Sequence, residues 1–216
     1  MIVHILAGGP NEYVPNLHSF RSDHVHWIGV DRGVITLLKA GITPIRAFGD
    51  FDSISEAELR WVQSELKSIE IWRSEKDQTD TDIALDWAIS QKPSKVRIFG
   101  ATGGRVDHLF GNVQLLIKNL ELDIEMIDRQ NIITAHAPGE YQIENNYTFK
   151  YISFIPVSAE VKELTLKGFK YPLTNCHIQL GSTLCISNEL IQSYGTFSFS
   201  EGILLMIRSK DLSSNP

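Results

Sequence analysis

Three short acidic signatures follow one another in the first half of this chain. They are Gly49-Asp50-Phe51-Asp52-Ser53, Lys76-Asp77-Gln78-Thr79-Asp80 and Gly103-Gly104-Arg105-Val106-Asp107-His108. Asp50 and Asp52 are two residues apart, so in an extended segment both carboxylates point the same way and Phe51 turns inward. Neighbouring carboxylates repel, and a cation or a shared proton reconciles them. The donors on offer are all oxygen: Asp50, Asp52 and Asp80, with Asp31 or Asp77 as a further candidate. Such a set favours Mg²⁺, which keeps waters and takes phosphate oxygens as its remaining ligands.

The cationic and glycine-rich partners of that site are also legible. Lys76 is placed to meet phosphate, and Thr79 or Asp80 can cap the helix that follows. Gly100-Ala101-Thr102-Gly103-Gly104 can turn backbone N–H groups towards phosphate, and Arg105 is a planar donor suited to the same oxygens. No Gly-Lys-Ser/Thr follows, so this is not a Walker loop. Asp107 has three roles open to it: holding Arg105, contacting a nucleotide hydroxyl, or assisting proton transfer. His108 reads as a structural donor at a helix start, and Asn112 lies one turn further on the same face. Taken singly, each motif reads as a turn or a cap. Pooled, they describe an enzyme handling a nucleoside triphosphate.

The elements that must position these groups follow from periodicity. Up to about residue 128, short apolar runs alternate with helical stretches. Strands are expected at Ile2 to Ala7, His26 to Val30, Ile45 to Phe48, Ile69 to Trp72, Lys95 to Phe99 and Ile124 to Ile127. Helices are expected at Val34 to Ala40, Ser55 to Leu66, Asp80 to Ile89 and His108 to Leu120, with a Ser55/Glu58 capping box opening the second. This alternation implies an α/β domain (1–128), a mostly parallel sheet flanked by helices. Ligands of such sheets bind beyond the carboxyl ends of the strands, where Asp31, Asp50, Asp77 and Gly100 all fall. From 129 to 216 the helices stop. Short strands separated by Pro138-Gly139, Asn145-Asn146, Lys167-Gly168, Gly181-Ser182 and Glu201-Gly202 suggest an antiparallel β-sandwich, including strands at Tyr147 to Pro156 and Thr183 to Ser187.

Composition narrows the class. The chain has 216 residues, 43% of them hydrophobic, and a net charge of −6. That charge, with no basic block, argues against nucleic acid as partner. Cys176 and Cys185 have no metal-ligand spacing and read as free thiols of a reducing compartment. The start lacks a secretory pattern and the apolar runs are far short of a bilayer span, so a cytoplasmic protein with no membrane partner is expected.

The ordered set Asp31-Arg32-Gly33, Gly49-Asp50-Phe51-Asp52-Ser53, Lys76-Asp77-x-Thr79-Asp80 and Gly104-Arg105-Val106-Asp107-His108 with Asn112 resembles the bacterial thiamine pyrophosphokinases, also called thiamine diphosphokinases. Ser187-Asn188-Glu189 is similar to a run in the same family. The resemblance implies conversion of ATP and thiamine to thiamine diphosphate and AMP by a homodimer with its site near the subunit interface. It implies Mg²⁺ on Asp50, Asp52 and Asp80, with Asp31 and Asp77 close by and Lys76 and Arg105 on the phosphates. Thr79, Gly103, Gly104, His108 and Asn112 fall in the nucleotide site, Asp107 beside the chemistry, and Ser187 and Asn188 on thiamine. Two departures stand out. Eukaryotic members place a Trp near the C-terminus against thiamine, whereas the last Trp here is Trp87, leaving Tyr194, Phe197 or Phe199 as substitutes; and Asp82 stands where many bacterial relatives have Glu. From the acidic pair alone, a metal-dependent glycosyltransferase is a rival reading, and a non-catalytic nucleotide or thiamine sensor is another.

Overall fold

A computed structural model describes residues 1–52, 54–66, 69–71 and 77–211, so Ser53 and Lys76 lie outside the described residues. The chain divides into two compact units. One comprises Met1–Leu115 with Leu122–Arg129; the other comprises Leu116–Glu121 and the chain from Gln130 onwards.

The first unit is a parallel sheet. Its strands are β1 (Ile2–Leu6), β2 (Val25–Val30), β3 (Arg46–Gly49), β4 (Ile69–Ile71), β5 (Lys95–Phe99) and β6 (Ile124–Ile127), in the spatial order β6-β5-β1-β2-β3-β4. Every pairing is parallel, with Leu6 opposite both Gly29 and Phe99. The strands β1 to β4 run outward in one direction, and β5 then returns to the other side of β1. The order therefore reverses between β1 and β5, and a crevice opens beyond their carboxyl ends. Helices α1 (Arg32–Lys39), α2 (Glu56–Glu65), α3 (Asp80–Ser90) and α4 (Val106–Lys118) make the crossovers. The α2 helix starts where its capping box predicts: Ser55 Oγ accepts from Glu58 N–H at 3.3 Å and Glu58 Oε2 accepts from Ser55 N–H at 3.0 Å. Val34, Ile35, Ala47, Phe51, Val62 and Leu66 form an apolar cluster in this unit.

The second unit is two antiparallel sheets. One has the order β12-β9-β14-β7, from β7 (Asn131–His136), β9 (Tyr151–Pro156), β12 (Asn188–Glu189) and β14 (Leu204–Ser209). The other has β11-β10-β13-β8, from β8 (Gly139–Glu144), β10 (Glu160–Lys167), β11 (Leu173–Gln179) and β13 (Tyr194–Phe199). Ile152, Phe154, Leu204 and Met206 of the first sheet share a core with Val161, Leu164, Leu166, Ile178, Phe197 and Phe199 of the second. The α/β-then-β architecture read from the sequence is the one observed.

Three local expectations are corrected. Thr183–Ser187 is a turn, not a strand: Ser187 takes φ 57°, and pairing resumes only at Asn188. Tyr147–Lys150 is likewise a turn, because Asn146 Oδ1 captures the N–H groups of Thr148 and Phe149 before β9 can begin. Phe51 is not extended. It sits at φ 56°, and Asp52 N–H donates to Asp50 Oδ1 at 3.1 Å, so a left-handed turn, rather than strand alternation, buries the Phe51 ring. Two 3-10 turns, Asn11–Tyr13 and Leu17–Phe20, fill a stretch for which the sequence pattern gives no element.

Candidate active site

A cleft of about 330 Å³ lies in the first unit beyond the ends of β1, β2 and β5. One bank is glycine: Gly8 and Gly9 after β1, then Gly100, Ala101 and Gly103 after β5. Gly9 N–H donates to the Gly100 carbonyl at 2.8 Å, which ties the two strand ends together. The other bank carries Asp31, Arg32, Asp52 and Thr81, and the floor of the α4 side adds Arg105, His108 and Asn112. Parallel strands put all these carboxyl ends on one edge, so residues a hundred positions apart face the same cavity.

Asp31 is the centre of the acidic bank. It opens α1 without capping it, at φ 48° and ψ −123°, an unusual backbone for any residue but glycine. Its Oδ1 is buried and has no hydrogen-bond partner among the described residues, while the Phe51 N–H serves the carboxyl. Gly49 is required beside it, because a Cβ at that position would stand 2.0 Å from Asp31 Oδ1. Burial first, then the charges of Asp80, Asp50 and Asp52, push the Asp31 carboxyl up to about 6. Acids from the ends of two strands, β2 and β3, and from the start of α3 therefore act together on Asp31. Among the described residues no group of three or more His, Cys, Asp or Glu stands arranged to hold a metal ion, so Asp50, Asp52 and Asp80 do not form a ready metal site. The fit to a hard cation rests on two observations: an orphaned carboxylate oxygen, and four like charges with all-oxygen donors. Both would be relieved by a hard cation such as Mg²⁺.

Arg105 and Asp107 pair with each other. Arg105 Nε donates to Asp107 Oδ1 at 3.1 Å and Nη2 to Oδ2 at 2.5 Å, and His108 N–H donates to Asp107 Oδ1 at 2.9 Å. The Arg105 hydrogen bond is the main reason the Asp107 carboxyl is held down to about 2. Of the three roles open to Asp107, this geometry realises the holding of Arg105, and such a carboxylate is a weak proton acceptor near neutrality. Asn112 is buried and donates from Nδ2 to the Ala101 carbonyl at 2.9 Å, so it fastens the glycine loop. Thr79 caps α3 by accepting from Asp82 N–H at 3.2 Å, which leaves Asp80 in the first turn. Gln78 Nε2 donates to Asp82 and Asp86, and Asp77 is exposed beside it. The sequence reading missed Gly8, Gly9 and Thr81; the Gly8-Gly9-Pro10 run closing the first strand was the available signal.

In the second unit, Ser187 and Asn188 occupy the turn into β12. Ser187 is exposed and its N–H donates to Ser153 Oγ at 2.9 Å. Asn188 is buried, and its amide engages both backbone groups of Tyr171: Oδ1 accepts from Tyr171 N–H at 3.0 Å, and Nδ2 donates to the Tyr171 carbonyl at 2.8 Å. Phe197 and Phe199 are buried in the core and closed to a ligand, whereas Tyr194 is exposed. Cys176 and Cys185 are both free thiols.

Residues 17–127 match the family model "Thiamin pyrophosphokinase, catalytic domain", and residues 140–204 match "Thiamin pyrophosphokinase, vitamin B1 binding domain". The chain belongs to the thiamin pyrophosphokinase family. Its members make thiamine diphosphate from thiamine and ATP, and this chain is a kinase of that kind, transferring pyrophosphate. The thiamine pyrophosphokinase of Bacillus subtilis (strain 168) is 56% identical over 211 residues, 97% of this chain and 99% of that one. The crystal structure of the enzyme from Geobacillus thermodenitrificans is 58% identical, covers all of both chains and superposes with a TM-score of 0.93. Thiamin pyrophosphokinase from Candida albicans shares 19% identity, 97% of this chain and 89% of that one, at a TM-score of 0.79, a likeness of fold. Among the described residues, no helix is long and apolar enough to cross a membrane.

Proposed function

We propose that the chain transfers the diphosphoryl group of ATP to the hydroxyethyl oxygen of thiamine, releasing AMP, and that the cleft of the first unit is where ATP and Mg²⁺ meet. What supports this reading is Asp31, whose buried Oδ1 lacks a partner among the described residues and whose carboxyl feels the charges of Asp80, Asp50 and Asp52, in a cleft it shares with Asp52 and a run of glycines. Asp50, Asp52 and Asp80 would hold Mg²⁺ with Asp31 beside them; bound there, the ion would neutralise charge on the phosphate oxygens.

The protein's own groups do the positioning. Backbone N–H groups of Gly103 and Gly104 face the phosphates, and Arg105 and Lys76 add positive charge. Asp107 keeps Arg105 pointed, and Asn112 keeps the loop in place. In-line attack by the alcohol on the β-phosphorus then needs orientation and charge stabilisation more than covalent chemistry. Asp107, held by Arg105, is a weak acceptor for the alcohol proton, and Asp80 would be a weak one too while it holds Mg²⁺. Residues 1–128 would form the nucleotide-binding domain and 129–216 the thiamine-binding domain, with Ser187 touching thiamine and Asn188 fixing that turn. The working form is a cytoplasmic homodimer.

The test is to incubate the purified chain with ATP, Mg²⁺ and thiamine and identify the nucleotide product. AMP and thiamine diphosphate in equal amounts are expected. ADP would mean a monophosphoryl kinase and would overturn the reading, as would binding of both substrates without turnover.

A further inference from the structure

We propose that Tyr13, backed by Pro10, is a positioning residue for ATP: its ring occupies the space where a side chain on Gly103 would lie and so holds the Gly100–Gly104 loop in its phosphate-facing form. The proposal rests on the reading that this loop meets the phosphates of ATP.

Gly103 and Gly104 take φ +74° and +65°, two left-handed residues in succession. Glycine reaches these angles freely, but for the same reason it leaves them freely. Something outside the loop must select the bound form if binding is not to bear the ordering cost. The structure provides that support from two sides. On one side, a Cβ on Gly103 would lie 2.4 Å from Tyr13 Cδ2 and 2.8 Å from Cε2, so the ring rests directly on the loop backbone; a Cβ on Gly104 would lie 3.3 Å from Pro10 Cγ. On the other side, Thr102 Oγ1 donates to Asp128 Oδ2 at 2.7 Å, and both residues are buried.

The Tyr13 turn is itself anchored. Arg129 N–H donates to the Tyr13 carbonyl at 2.9 Å, and Arg129 Nη1 donates to the Glu12 carbonyl at 3.2 Å. Asn11 Oδ1 accepts from Thr36 Oγ1 of α1 at 3.0 Å. Two adjacent residues just past β6 thus divide the work: Asp128 pins the loop and Arg129 pins the strap that lies over it. Tyr13 is 38% exposed. A ring left that open contributes little to the core, so its contact with Gly103 matters to the loop more than to the fold.

The experiment compares the full-length chain with Tyr13→Ala, Tyr13→Phe and Thr102→Val, measuring steady-state KM for ATP and for thiamine, kcat, and the Kd of ATP by calorimetry with Mg²⁺ present. Removing the ring should raise KM and Kd for ATP about tenfold while kcat and the thiamine KM stay within about twofold. Tyr13→Phe, which keeps the ring, should restore wild-type values. Thr102→Val releases the loop from its other side and should show the same split, which keeps the idea testable if Tyr13→Ala folds poorly. An unchanged ATP Kd in both Tyr13→Ala and Thr102→Val, or an equal loss for ATP and thiamine, would overturn the proposal. A wild-type chain that binds ATP but makes no AMP would sink the functional reading instead, and the calorimetric comparison would still decide the role of Tyr13.

Discussion

His4 and Asp31 share a symptom and differ in its meaning. Each lies in the first unit, each has at least one buried side-chain atom without a hydrogen-bond partner among the described residues, and each is pushed towards its neutral form. His4 sits fully buried on β1 among Phe20, Trp27 and Phe99, with the Trp27 ring centroid 4.6 Å away. Aromatic edges and faces surround it. Asp31 faces a cleft, and its neighbours are three more carboxylates. Frustration that faces apolar walls is a stability cost with no outlet. Frustration that opens onto a cavity marks the place where a ligand completes the structure.

The largest effect should come from breaking the acidic bank. Asp50→Asn or Asp80→Asn removes one charge from the group around Asp31 without changing shape. AMP formation should fall by about a thousandfold or more, in line with loss of a charge-stabilising group at a phosphoryl-transfer site. Circular dichroism and the metal-free melting temperature should show a fold at least as stable as wild type, because a repulsion has been relieved. A variant that keeps near-wild-type turnover would mean that these acids are structural and that the contrast with His4 is false.

The other half of the contrast is tested by pH. Burial first, then the nearby Arg97 charge, lowers the His4 imidazole to about 3 from an ordinary 6.5, with Glu125 opposing. The unfolded chain therefore holds a proton that the folded chain refuses between those values. The sign follows from linkage: the His4 contribution is complete above pH 6.5, is lost as pH falls from 6.5 towards 3, and changes no further below that. The loss across that window is on the order of 5 kcal/mol at about 1.36 kcal/mol per unit. Urea midpoints of wild type and His4→Leu should diverge as pH falls from 7 to 4, with the variant the flatter of the two. Parallel curves would show that His4 has a partner after all, and the comparison with Asp31 would lose its control.

Much of this was legible in the sequence because parallel α/β units advertise themselves. The apolar runs at Lys95–Phe99 and Ile124–Ile127 and the capping box at Ser55 appear where periodicity and cap chemistry place them. The acids could be pooled because each follows a strand of one parallel sheet. What escaped was set by side-chain capture of backbone groups and by tertiary contact. Asn146 turns a β-rich stretch aside by taking two N–H groups, and the left-handed Phe51 arises from Asp50 accepting the Asp52 N–H. Nothing in the local pattern of residues 10–20 announces that Tyr13 rests on Gly103, ninety positions away. Asp31 reads as one acid among several until its Oδ1 is seen to be enclosed beside Gly49.

The smallest effect, and the one that most sharpens the contrast, is the stabilisation of the folded chain by Mg²⁺ alone. If the Asp31 group is completed by a cation, adding Mg²⁺ to metal-free protein should raise the melting temperature without any nucleotide. At a hundredfold excess over its Kd the gain would be about 2.7 kcal/mol, and half-occupied sites give a few tenths. Asp31→Asn should weaken the response, since the buried oxygen then belongs to a neutral amide and the remaining repulsion is smaller. It should also raise the melting temperature of the metal-free chain, because burial no longer opposes a charge at that position. His4→Leu should leave the Mg²⁺ response untouched, as its ring packs among Phe20, Trp27 and Phe99 and feels the charges of Arg97 and Glu125. Equal Mg²⁺ shifts in wild type and Asp31→Asn would place the cation elsewhere and return Asp31 to the same class as His4.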